Sequence, residues 1–372
     1  YSTPDTLIGV VAHEVGHIKA GHLARSGEAY EKAQSTMLLS YLLGIGAVVA
    51  GSADAGIAII SGSMDSAGRM FLKFNRSQEE SADLHAIKYL EELQYPTDGL
   101  VKLLEYFQMQ MVGYEGQIDE YLLSHPVSKK RIDIIKNNTK NYHYLDKKIN
   151  PKLQRQLDIV QKKLEGFTQN TDEVLRKYQN QNNELANYVK AIAYFKKGQI
   201  SESIKLLDSV ILVTKDNEEL GFLFELKGQI LFESGDITES IIAYGRSIKL
   251  LENKYSAQAK ISFATAILNL NNNDKELLKL AIKNLEEAEI YEKQTPFLFK
   301  QLANSYNKIG SKWQSYFNLA EYHLLLNDYK KSSKYAKKSK ELFEKSADAE
   351  NKVYAIKIDD LVFLAKKEDK DK

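Results

Sequence analysis

PDTLIGVVAHEVGHIKAGH (4–22) is the stretch on which the reading of the first half of the chain turns. Thr3-Pro4-Asp5 supplies an N-cap, a first-turn proline and an early acidic residue. Beyond it Leu7, Val10, Val11 and Val15 recur at helical spacing, which places HEVGH (13–17) inside a helix. Residues i and i+4 share one helix face, so the imidazoles of His13 and His17 can converge on one Zn²⁺. Glu14 beside them can take a proton from a water at that metal. Three protein ligands and one open position would let zinc acidify that water and polarise a peptide carbonyl, with Glu14 passing the proton on to the leaving amine.

A third ligand is expected from a second helix. The candidate is Glu79 in NRSQEESADLHA (75–86), 62 residues beyond His17, with Glu80 as its competing neighbour. Glu79 and Asp83 are again i, i+4: one can reach the metal while the other orients a ligating histidine through its second ring nitrogen. His22 lies nine residues after His13, about 900° around a continuous helix, and therefore faces away from the ligands. It is not read as a ligand. His85, His143 and His323 receive no role, and Arg76 stays open between pairing with a carboxylate and touching substrate.

Composition narrows the rest. At 372 residues, 43% apolar and 27% charged, the chain exceeds what one core usually fills, and two domains are expected. Fifty-one basic residues against 50 acidic leave a net charge of +1, which excludes a general electrostatic pull toward nucleic acid. With no cysteine, a metal must be held by histidine and carboxylate. The opening Tyr1-Ser2-Thr3-Pro4 reads as the start of a mature or trimmed product. The apolar segment 37–62 is too short in each stretch to span a membrane, which takes roughly 20 residues. It reads as a buried helical hairpin, a membrane-interface contact or a lid over a cleft.

From about Asn183 the texture changes to helical pairs. AIAYFKKGQISESIKLLDSVI (191–211) aligns with GQILFESGDITESIIAYGRSI (228–248), and Gly198 and Gly235 occupy equivalent turns 37 residues apart, close to the tetratricopeptide period of about 34. Weaker copies follow at 264–289 and 302–339. Four to five helix pairs are expected to stack into an α-solenoid, each covering its neighbour's apolar face. PKLQRQLDIVQKKLEGF (151–167) reads as a connecting helix. The boundaries are set at 1–140 for the metal-site domain, 141–183 for connecting helices and 184–372 for the repeats.

HEVGHIKAGH (13–22), then Arg76, Glu79, Ala82 and Asp83 in the order R-x-x-E-x-x-A-D, then SHPVSKKRI (124–132) resemble the integral-membrane and periplasmic zinc metalloproteases that include HtpX, the CAAX prenyl protease and BepA. The attached repeats single out the BepA-like periplasmic branch. The resemblance implies a mainly α fold: a zincin-type metalloprotease domain of an HExxH helix and an ExxAD helix, followed by the tetratricopeptide α-solenoid. It implies one Zn²⁺ per chain on His13, His17 and Glu79, Glu14 as general base and Asp83 as the residue that orients a ligand. It implies that His125 lies on a loop by the site, able to fill the zinc's open position in a latent state. His125 and Arg131 are alternatively donors to the oxyanion of the transition state.

The function implied is an endopeptidase in the bacterial periplasm acting on unfolded or misassembled envelope proteins. The repeats would dock substrate or the outer-membrane β-barrel assembly machinery, and 37–62 would touch the membrane peripherally. A latent or non-catalytic chaperone acting through the repeats is the alternative. The family's leading strands, which offer an edge for extended substrate, are expected to be missing ahead of the HExxH helix.

Overall fold

The computed structural model describes residues 3–22, 74–112, 125, 128–139, 150–270 and 274–370. The described residues form helices joined by turns, with no strand among them. The chain divides into two units, Tyr1–Asp158 and Ile159–Lys372. That division falls inside the helix Pro151–Thr168, whereas the sequence reading placed the change from site domain to connecting segment at 140/141.

In the first unit, α1 (Pro4–Lys19) begins with Thr3 in extended conformation and Pro4 in its first turn, as the sequence leads one to expect. Its buried positions are Pro4, Thr6, Gly9, Ala12, His13 and Gly16, a stripe of small residues. The apolar Leu7, Val11 and Val15 that signalled the helix are instead exposed among the described residues. Small side chains let helix backbones approach closely, so the tight contacts form on the glycine face. A second helix, α2 (74–92), buries Glu79, Ala82, Asp83, Ala86, Ile87 and Leu90 along one stripe at three- and four-residue spacing.

Two further helices, α3 (Asp98–Val112) and α4 (Lys129–Thr139), complete this unit's described core. Ala12, Ala86, Ile87, Leu90, Leu100, Leu104, Ile132 and Ile135 pack into one cluster beneath the polar site.

The second unit contains the rest of the chain from Ile159. Thr171–Lys177 (α6) follows the helix Pro151–Thr168 (α5) and is capped by the Asn170 side chain, which accepts from the amides of Asp172 and Glu173. Helix pairs then succeed one another: Glu184–Lys196 with Ile200–Val213 (α7, α8), Asn217–Glu233 with Ile237–Leu250 (α9, α10), and Ala257–Asn269 with Lys275–Glu289 (α11, α12). They continue with Pro296–Lys308 and Lys312–Leu325 (α13, α14), and with Tyr329–Phe343 and Lys352–Lys370 (α15, α16).

Gly198 and Gly235 take φ of 73° and 91°, and Gly310 takes 90° at the corresponding turn between α13 and α14. Around each, the amide three residues past the helix end bonds back to the carbonyl five residues earlier: Gln199 to Tyr194, Asp236 to Leu231 and Ser311 to Tyr306. Asp328 to His323 repeats the pattern with Asn327 in the left-handed position, φ 57°. This is the Schellman closure that glycine or asparagine makes accessible. The cores link adjacent pairs, as where Tyr244, Phe263, Leu285 and Leu302 share one cluster.

Candidate metal centre

Gly16 brings the site together. A Cβ built on it would lie 2.5 Å from the Ala82 carbonyl oxygen, so glycine is what allows α1 to lie on α2 at this depth. His13 and His17 flank Gly16 on one side of the contact, and Glu79 and Asp83 flank Ala82 on the other.

The donor atoms converge. His13 Nε2 and His17 Nε2 are 3.1 Å apart, and they lie 3.3 and 3.2 Å from Glu79 Oε2 and Oε1 respectively. A tetrahedral zinc with bonds of about 2.0–2.1 Å separates its ligand atoms by roughly 3.3 Å. His125 completes the group, with Nδ1 3.1 Å from Glu79 Oε1 and Nε2 3.7 Å from Glu14 Oε1. One donor atom each from His13, His17, Glu79 and His125 all lie within 4.8 Å of one another. A nitrogen and oxygen set of this kind, without sulfur, suits zinc among the common protein metals.

Arg131, from α4, is 2% exposed and spans both carboxylates. Its Nε and NH2 donate to Asp83 Oδ2 and Oδ1 at 2.7 and 2.9 Å, while NH1 lies 2.8 Å from Glu79 Oε2. This bidentate fork fixes Asp83 and steadies Glu79. The geometry therefore speaks for orientation of the carboxylates by Arg131 rather than for a donor aimed at substrate. Asp83 Oδ1 in turn lies 2.9 Å from His13 Nδ1, an ion-pair distance, although the nitrogen is not aligned for a directed hydrogen bond.

Electrostatics follow from this packing. Burial alone would raise Glu79 and disfavour its charge, but His125, His13, His17 and Arg131 outweigh it and hold the carboxyl well below its ordinary range. Burial likewise opposes a charge on His13, yet Asp83 and Glu79 push its pKa up to about 9.

Other residues singled out by sequence fall elsewhere. Glu80 turns to Lys130 Nζ at 2.6 Å, which leaves Glu79 as the member of that pair facing the histidines. Arg76 is exposed. His85 stacks on Tyr89, with ring centroids 6.2 Å apart. His323 lies 3.5 Å from Asp328 in the repeats. His143 and the segment 37–62 lie outside the described residues.

His22 departs from the helical extrapolation. Helix α1 stops at Lys19, Gly21 takes φ 66°, and the His22 ring comes back to within 2.9 Å of His17. The signal was in the sequence: a glycine directly after the last helical turn is the usual stop.

Residues 1–139 match the profile described as Peptidase family M48. This stretch, the M48 segment, carries the likeness to that family. The M48 segment is also similar to curated proteins named beta-barrel assembly-enhancing protease. It is 27% identical over 133 residues to the one from Escherichia coli K12 and 29% identical over 133 residues to that of Yersinia pestis. A putative one from Vibrio cholerae is 26% identical over 136 residues. These matches cover 35 to 37% of this chain and 26 to 28% of each relative, so the similarity spans about a quarter of the relatives' own length. No described helix is long and apolar enough to cross a membrane.

Proposed function

We propose that the M48 segment is a zinc-dependent endopeptidase. The observation that carries this reading is the convergence of His13, His17 and Glu79 donor atoms at 3.1 to 3.3 Å beside Glu14. Zinc held by these residues would supply an acidified water and a positive charge against the substrate's carbonyl oxygen. The chain's own residues do the rest. Glu14 takes the proton of the attacking water and returns it to the departing amine nitrogen, which splits one difficult transfer into two short ones. Asp83 and Arg131 hold His13 and Glu79 in register through this cycle.

His125 offers its donor within 4.8 Å of those of His13, His17 and Glu79, so as a fourth ligand it would occupy the position that water needs. This favours a latent resting state over a direct transition-state role. A paired experiment tests mechanism and gate together, with degradation of an unfolded test protein as the readout. Glu14→Gln is expected to lower the rate by at least 10²-fold with zinc retained, in line with loss of a general base. His125→Ala is expected to raise it. Persistent degradation by the Glu14 variant refutes the chemistry, and unchanged or lower activity of His125→Ala refutes the gate and restores the oxyanion role.

The relatives' name and the repeat architecture support a wider reading. The substrates are unfolded or misassembled envelope proteins, the compartment is the bacterial periplasm, and the repeats from about residue 184 dock substrate or the β-barrel assembly machinery.

A further inference from the structure

We propose that His22 is the positioning residue of the ligand His17, accepting a hydrogen bond from His17 Nδ1 so that Nε2 is presented to the metal. The proposal rests on the zinc reading above.

The geometry is specific. Ala20 closes α1 with its amide on the Gly16 carbonyl, Gly21 bonds back to Ile18, and the left-handed conformation at Gly21 reverses the chain. His22 is thereby buried against the helix it follows, at 5% exposure. Gln78 Nε2 donates to the His22 carbonyl at 3.4 Å, which ties this turn to α2 at the residue next to Glu79. The His22 ring meets His17 edge-on, with centroids 4.8 Å apart and planes at 77°, and the two Nδ1 atoms are 2.9 Å apart.

At that distance one Nδ1 carries the shared proton and the other offers its lone pair. Proton chemistry decides which. The Nε2 atom of His17 points at His13 Nε2 and Glu79 Oε1. A ligating Nε2 needs its lone pair, so the proton of a neutral His17 stands on Nδ1 and is donated to His22. His22 then carries its own proton on Nε2. The site is thus doubly braced: Asp83 stands behind His13 Nδ1, and His22 stands behind His17 Nδ1. A neutral imidazole as second brace adds no negative charge beyond the carboxylates already buried there.

The test uses the full chain stripped of metal and titrated with zinc against a competing chelator, with the cobalt(II) absorption spectrum as second readout. His22→Gln keeps an acceptor at similar reach, and His22→Met keeps length without one of comparable strength. Expected are a zinc affinity 10- to 100-fold weaker and an altered cobalt spectrum for H22M, near wild-type values for H22Q, and an unchanged melting temperature of both metal-free variants. H22M binding zinc like wild type overturns the proposal, as does H22Q binding as weakly as H22M. A metal-free H22M that melts early or fails to fold makes His22 a packing residue and overturns it too. Failure of the wild-type chain to bind zinc would instead remove the reading on which the proposal stands.

Discussion

The two units bury polar groups in opposite ways. In the M48 unit buried ionisable residues come from three helices and converge: His13, Glu79, Asp83 and Arg131 engage one another in pairs 48 to 70 residues apart in sequence. In the repeat unit many are serines with a local task. Ser203 Oγ donates to the Ala191 carbonyl at 2.7 Å, and Ser332 Oγ donates to Ala320 at 2.9 Å, each twelve residues back at equivalent points of two helix pairs. A buried hydroxyl on a neighbouring helix carbonyl is a fastening that any repeat can reuse. Buried charges balanced only by one another are costly to assemble, and such clusters mark functional sites more often than architecture.

That contrast can be broken first at Arg131. Arg131→Met leaves Asp83 and Glu79 buried without their cation, and removing one partner of a buried charge cluster costs about 3–5 kcal/mol. The lone tryptophan, Trp313, lies in the repeats and reports that unit alone. The expected outcome is loss of the M48 unit's transition in a calorimetric or circular-dichroism melt while the Trp313 fluorescence transition stays in place. A joint shift of both transitions would show that the units do not unfold separately.

Glu321 is one of the repeat unit's ionisable exceptions and gives the second test. Burial, with Glu289 adding like charge, pushes its pKa up to about 7. A carboxyl raised in the folded state contributes fully below its unfolded pKa of about 4.5, and that contribution is lost as pH rises through 7. Glu321→Gln is therefore expected to stabilise the repeats at pH 8 by at most about 3 kcal/mol and to change little at pH 4. Trp313 fluorescence melts at the two pH values check it. An equal effect at both would show that packing rather than charge decides.

The smallest effect belongs to the serine fastenings. Ser203→Ala should cost about 1 kcal/mol, the usual net worth of one hydrogen bond, again read from Trp313. A cost as large as that at Arg131 would erase the distinction between fastening and site.

What the sequence made legible follows the same divide. Short-range geometry was readable: the i, i+4 pairs His13/His17 and Glu79/Asp83, and the turn glycines Gly198 and Gly235, each depend on backbone rules that act within a few residues. The Arg131 bridge was not, because its partners are fixed by how α4 meets α2, 48 residues away in sequence from Asp83. His22 was misplaced for a related reason. Counting 100° per residue from His13 assumed a helix that Gly21 ends, and one left-handed residue turned a side chain facing away into a neighbour of His17. The apolar stripe at Leu7, Val11 and Val15 identified the helix but not its tight face, since close approach is set by what Gly16 lacks.

The most direct test of the metal centre is zinc content with ligand variants. The account predicts one tightly held zinc per wild-type chain, retained in Glu14→Gln and lost or greatly weakened in His13→Ala, His17→Ala and Glu79→Gln. A wild-type chain that takes up no zinc, or a Glu79→Gln chain that holds it as tightly as wild type, would contradict it.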